Sequence, residues 1–167
     1  TVTTGAGGRY YVRVRGSSGT DGLFSQYLLN IEMTVPSDVV PPQIVSDTLP
    51  AESATTTNIL DRLTLGFSEE LSPATVNDSA SYDLRAAGSD DVFDTADDVV
   101  YTLATSPTYA NGTTASLMVT DGPLQDGRYR FTSQTTLLDL NLNPLPASYV
   151  RHFTVAGPAG FFTENRS

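Results

Sequence analysis

Residues 9–15, Arg-Tyr-Tyr-Val-Arg-Val-Arg, put Tyr10, Val12 and Val14 on one side and the three arginines on the other once the backbone is extended, because successive strand side chains point to opposite faces. Beyond the polar loop Gly16 to Gly22, Tyr27, Leu29, Ile31 and Met33 alternate with Gln26, Leu28, Asn30 and Glu32. Residues 1–34 therefore predict a β-hairpin. A lone hairpin is marginal in water, so it needs a sheet from residues before Thr1, from the following domain, or from another chain. Pro36, Pro41 and Pro42 favour extended backbone and cannot donate to a ladder, which makes 35–42 a linker and the domain boundary.

From 43 to 155 the pattern predicts strands at 43–46, 60–67, 82–86, 99–103, 115–120, 128–132 and 149–155, with turn residues between them. Leu63, Leu65 and Phe67, then Leu117 and Val119, then Tyr129 and Phe131 recur at every second position, so each set should face a core. Ser72-Pro73-Ala74-Thr75-Val76 interrupts the strands with a single helical turn, Ser able to cap it and Pro suited to its first position. Asn111-Gly112 reads as a hairpin turn, and 156–167 as a Gly/Pro-bearing tail or linker. Short strands at this spacing predict an all-β fold, an immunoglobulin-like β-sandwich with an additional N-terminal β-hairpin.

Two stretches resemble known families. Gly8 to Val14, the Gly/Ser loop and Tyr27-Leu28-Leu29-Asn30-Ile31 look like the closing hairpin of bacterial pre-peptidase C-terminal domains, small secreted sandwiches of which 1–34 would be an incomplete C-terminal part. Pro41-Pro42-Gln43-Ile44-Val45, the Leu63 to Leu71 strand and exit, Ser72 to Asn77, Asp126-Gly127-Arg128-Tyr129, Asp139 and Asn143-Pro144-Leu145 resemble the bacterial Ig-like domain of the S-layer-associated type. That resemblance implies a repeated, non-catalytic module of secreted or cell-surface proteins, used for spacing, presentation or adhesion. Its partners would be the neighbouring domains of the parent protein.

The charge balance narrows the partners. Nine basic residues, all arginine, stand against 19 acidic ones, and the formal net charge of −10 lacks the positive field that nucleic acid needs. No apolar run exceeds three residues, so neither a membrane span nor a signal-peptide core is present. With no cysteine there are no disulfides and no thiolate metal sites, and any metal must be held by oxygen. The length of 167 residues sits at the top of the usual single-domain size or allows one domain plus a fragment of another.

Candidate chemistry concentrates in Gly88 to Val99, where Asp90, Asp91, Asp94, Asp97 and Asp98 fall within nine positions. Such repulsion is relieved by a divalent cation, and Ca²⁺ suits a flexible oxygen-rich loop better than Mg²⁺, which demands a tight octahedron. The spacing is not that of an EF-hand: from Asp90, position 3 is Val92, position 6 Thr95 and position 12 Tyr101. The loop does resemble the Gly-x-Asp-Gly-x-Phe-Gly-Thr-x-Asp-Asp calcium loops of secreted bacterial sandwich domains, with Asp91 and Asp94 replacing the two later glycines. By that resemblance Asp90, Asp97 and Asp98 would be carboxylate ligands, helped by Thr95 or a nearby carbonyl, while Asp94 is either a further ligand or an exposed charge. The plain alternative is a solvated acidic loop without metal.

Other residues point away from catalysis. His152 is the only histidine, with no second histidine or cysteine to partner it, and reads as a strand-face residue. Glu69 and Glu70 are adjacent and so diverge on a strand. No Gly-x-Ser-x-Gly turn occurs. The chain is expected not to be an enzyme. Tyr10, Tyr11, Tyr27, Tyr101, Tyr109, Tyr129 and Tyr149 raise a second reading, a module that binds cell-surface glycan or protein, although strand packing accounts for most of them. A third is self-association, the N-terminal hairpin completing a neighbouring chain's sheet by strand addition.

Overall fold

The computed structural model describes residues 38–157. The N-terminal hairpin of residues 1–34 and nearly all of the 156–167 tail lie outside the described residues.

Among the described residues nine strands form two sheets: β1 (Ile44–Asp47), β2 (Ala54–Thr56), β3 (Arg62–Phe67), β4 (Tyr82–Ala86), β5 (Val99–Tyr101), β6 (Leu103–Thr105), β7 (Thr114–Val119), β8 (Gly127–Ser133) and β9 (Tyr149–Val155). One sheet runs β1-β3-β7-β6 and the other β2-β9-β8-β4-β5. The expected immunoglobulin-like sandwich is the fold found. Every pairing is antiparallel except that of β2 with β9.

The period-two sets do what they predict. Leu63, Leu65, Phe67, Leu117 and Val119 of the first sheet meet Leu84, Tyr129, Phe131 and Phe153 of the second, all 5% exposed or less. Removing each such side chain from water contributes about 1.5–3 kcal/mol, which is why alternation selects the face.

Three local expectations are corrected. The strand at 99–103 breaks at Thr102: β5 pairs with β4 and β6 with β7, so the chain crosses between sheets. Ala54–Thr56 becomes a strand without any apolar alternation of its own, because β9 supplies its ladder. Asn111-Gly112 is not a two-residue hairpin turn but part of a longer loop joining β6 to β7, in which Gly112 has φ +92° and Tyr109 is buried. The helical turn α1 (Pro73–Val76) forms as expected with Pro73 in its first turn, yet the Ser72 side chain makes no capping bond. The Ser72 carbonyl serves instead, accepting from the Thr75 and Val76 amides and from the Thr75 hydroxyl.

The path of the backbone matters for function. The chain enters beside the Asp139–Asn143 turn, where the Asn143 side-chain amide donates to the Asp38 carbonyl at 3.0 Å. It leaves beside the loop ahead of β8, where Val155 pairs with Gly127 and Gly157 abuts the Asp126 carboxylate. These places flank opposite ends of β8, a strand about 20 Å long.

Candidate functional site

The acidic segment between β4 and β5 folds back across the outer face of the five-stranded sheet. Gly88 starts it at φ +64°, and a Cβ there would stand 2.5 Å from the Asp97 carbonyl oxygen, so only glycine fits. Asp91 and Asp94, which replace glycines of the loop pattern, have φ +56° and +68°. The left-handed turns survive because a short carboxylate side chain tolerates them better than most.

Its carboxylates divide into two groups. On the first side the Asp97 Oδ2 accepts from the Ser89 amide at 2.7 Å, the Ser89 hydroxyl at 2.9 Å and the Asp90 amide at 3.3 Å. Hydrogen bonds from Thr95 and Ser89 hold the Asp97 carboxyl well below the usual carboxylate range. The Thr95 hydroxyl oxygen lies 2.7 Å from Asp97 Oδ1, 3.1 Å from the Val92 carbonyl oxygen and 3.5 Å from Asp90 Oδ1. A hydroxyl has one proton to give. The Val92 amide donates to Asp90 Oδ1 at 2.9 Å, so the three oxygens around the Thr95 hydroxyl share its one proton while only Asp90 Oδ1 among them has a further donor.

On the second side arginines do the neutralising. Asp94 takes a two-pronged pair from Arg130, at 2.8 and 2.6 Å, and a further contact of 3.2 Å from Arg85. Its carboxyl is lowered by the Arg130 hydrogen bonds above all. Asp98 Oδ2 accepts from Arg85 at 3.2 Å and from the Asp94 amide at 2.8 Å. The Asp98 side chain is only 4% exposed, and its Oδ1 is buried without a partner. Arg128 donates to the Asp91 carbonyl and carboxylate, at 2.9 and 3.1 Å. Phe93 lies on the guanidinium groups of Arg128 and Arg130, 4.9 and 5.0 Å from its ring centre, and against the His152 ring at 5.6 Å.

Of the expected ligands, then, Asp90, Thr95 and Asp97 come together with the Val92 carbonyl, whereas Asp94 and Asp98 turn toward the sheet. The arginine bed was missed in reading the chain. Its signal was present: Arg128 and Arg130 flank the core residue Tyr129 and must point outward. What the pattern could not convey is that the loop returns to cover them.

A second acidic group lies at the entry end. Among the described residues, Asp38, Glu69 and Asp139 are the only three carboxylates with ligand atoms all within 4.8 Å of one another. Asp139 is inaccessible to solvent and is saturated by its own turn: it accepts from the Asn141 amide at 2.7 Å, the Asn143 amide at 2.8 Å and the Asn143 side chain at 2.7 Å. Burial pushes its carboxyl up, and these bonds outweigh that and lower it. Glu69 has no such support, and burial together with Asp38 and Asp139 raises its carboxyl.

His152 is the strand-face residue expected, with its ring Nδ1 3.0 Å from Glu52 Oε1 while its amide donates to Glu52 Oε2 at 2.9 Å. Tyr109 and Tyr129 are core residues and present no stacking surface.

The model of the bacterial Ig-like domain family matches residues 38–155. A comparison with curated proteins gives no match. Among solved structures, the methionine-rich copper resistance protein PcoC from Escherichia coli is similar with a TM-score of 0.51 at 20% identity, over 70% of this chain and 100% of that one. Domains 1–6 of the surface layer protein SbsC give 0.44 at 14% identity, over 72% of this chain and 14% of that one. The N-terminal part of the bacterial S-layer protein SbsC gives 0.46 at 12% identity, over 71% and 24%. Identities this low speak to the fold and to nothing finer. With the family match spanning the whole described sandwich, the chain belongs to the bacterial Ig-like domain family.

Proposed function

We propose that the chain is a non-catalytic structural module of a larger secreted or cell-surface bacterial protein, stabilised by calcium in its acidic loop. The observation that carries the reading is the backbone path: the chain enters and leaves at opposite ends of β8, so the sandwich acts as a spacer about 20 Å deep between its neighbours. The core is filled by side chains, and His152 is engaged by Glu52 and Phe93. His152 lines an open groove with Asp83, Arg85, Arg130 and Gln134, where Glu52 holds its Nδ1 at 3.0 Å and ties the ring into the sheet edge.

Calcium fits by the chemistry of the donor set. Asp90, Thr95, Asp97 and the Val92 carbonyl offer only hard oxygen, gathered around the Thr95 hydroxyl, and calcium accepts such oxygens together with water. Its role would be to hold the loop shut. Asp94 and Asp98 would keep their arginines.

Thermal melting with calcium, with magnesium and with chelator tests the metal. Calcium at a hundredfold excess over its dissociation constant adds about 2.7 kcal/mol of stability. The midpoint should rise with calcium, rise less with magnesium and return with chelator. The response should vanish in Asp97→Asn and persist in Asp94→Asn. A midpoint indifferent to all three additions would strike calcium from the reading. A hydrolase screen should be blank, and turnover lost on His152→Ala would overturn the non-catalytic role.

A further inference from the structure

We infer that the Ig-like module is built to bear tension along the chain, through a clamp between its second strand, β2, and its last, β9. β2 and β9 run side by side in the same direction, with Ala54 opposite Phe153, Thr55 opposite Thr154 and Thr56 opposite Val155. The ladder is extended at both ends, by the Ser53 amide donating to the His152 carbonyl at 2.7 Å and the Ala156 amide donating to the Thr56 carbonyl at 2.9 Å.

Direction is what makes this a clamp. β9 begins at the end of the sandwich where the chain enters, since Tyr149 pairs with Ser133, and finishes at the exit, where Val155 pairs with Gly127. β2, being parallel, runs the same way. Tension on the N-terminal side is carried first by the β1–β3 ladder and beyond it pulls β2 back toward the entry, and tension on the C-terminal side pulls β9 toward the exit. The strands are dragged lengthwise past each other, so the rungs of the ladder are loaded together. Had the partners been antiparallel with both pulled ends at one edge, the same bonds would open one after another.

Side chains bolt the same two segments together. Glu52, just ahead of β2, holds the amide and the ring of His152 with its two carboxylate oxygens. Asp47, the last residue of β1, accepts from the Tyr149 hydroxyl at 2.6 Å and from Arg151 at 3.0 Å. Both bolts join the N-terminal segment to β9, and both resist the same sliding.

The inference rests on the spacer reading for its setting, and its test is mechanical. The 167-residue chain is tethered by its two ends and stretched at constant speed. Unfolding of the module is recognised by a gain approaching 400 Å, the reach of the chain from 38 to 157. The chain has no cysteine, so Gln125→Cys supplies a single thiol handle beside the exit. Stretching that variant between the thiol and the C-terminus peels β9 from its Val155 end, while stretching it end to end repeats the parent geometry.

Forced unfolding follows the unfolding rate along the loaded path. The peeling direction should therefore give a peak force lower by about twofold or more than the end-to-end direction. Thr55→Pro, at the middle rung, and Glu52→Ala should each lower the end-to-end force. Both directions act on one folded protein, so a loss of overall stability cannot produce the difference between them. Equal peak forces in the two directions would overturn the clamp and leave the spacer reading standing, since that depends on where the chain enters and leaves. End-to-end forces unchanged in both variants would overturn it as well.

Discussion

Arg85 and Arg130 stand directly opposite each other on β4 and β8, and one carboxylate, that of Asp94, touches both guanidinium groups. Like charges facing across a ladder are unfavourable. Asp94 therefore belongs to the sheet as much as to its own loop, and Asp83 and Asp98 share the task at Arg85.

Asp94→Ala should lower the melting midpoint by several degrees, because it leaves two arginines side by side with less compensation. Removing one of those charges as well should recover part of the loss. Measured as a double-mutant cycle, Asp94→Ala with Arg130→Gln should cost less than the sum of the single changes. Additive losses would mean that the pair is not coupled.

Phe93 is the apolar weight that keeps the loop down on the sheet. Cation–π contacts at partly exposed sites are worth about 0.5–1 kcal/mol each, and Phe93 makes two, to Arg128 and Arg130. Phe93→Ala should cost about 1–2 kcal/mol by urea unfolding, whereas Phe93→Tyr should be nearly neutral. Amide exchange should quicken across 89–98 in the alanine variant while β8 stays protected.

Gly88→Ala meets both a left-handed backbone and a clash with Asp97. It should destabilise by at least about 1 kcal/mol and abolish any calcium-dependent rise in midpoint, since Asp97 is displaced. An unchanged midpoint with calcium response retained would contradict the loop geometry.

Acid should act in two opposing ways. Asp97 and Asp94 have carboxyls lowered in the folded state, by hydrogen bonds from Thr95 and Ser89 and from Arg130 respectively. The stability they contribute is complete above the unfolded value near pH 4 and declines as pH falls through the folded values. Glu69 is raised by burial, with Asp38 and Asp139 adding to it, so its charge costs stability at neutral pH and the cost fades on protonation. Glu69→Gln should therefore raise the midpoint at pH 7 and leave it unchanged near pH 3. Its failure to stabilise at pH 7 would show that the entry-end carboxylates are compensated.

Much of the architecture was readable from local pattern. Period-two alternation named the core faces of β3, β7 and β8, because the choice of face is a property of successive residues and of nothing farther away. Proline at the head of α1 and aspartate at the left-handed positions of the loop were equally local. The acidic run at 90–98 was plain in the chain, as was its demand for neutralisation.

What answers that demand was decided in three dimensions. Arg85, Arg128 and Arg130 come from two strands that are neighbours only in the folded sheet, and Asp94 and Asp98 meet them only because the loop turns back. Ala54–Thr56 carries no alternating apolar signal and is a strand solely because β9 lies beside it. Composition and spacing determined this protein's class, core and charge; contacts between residues far apart in the chain determined its ion pairs, its parallel ladder and the direction in which it can be pulled, since those energies exist only once distant segments are brought together.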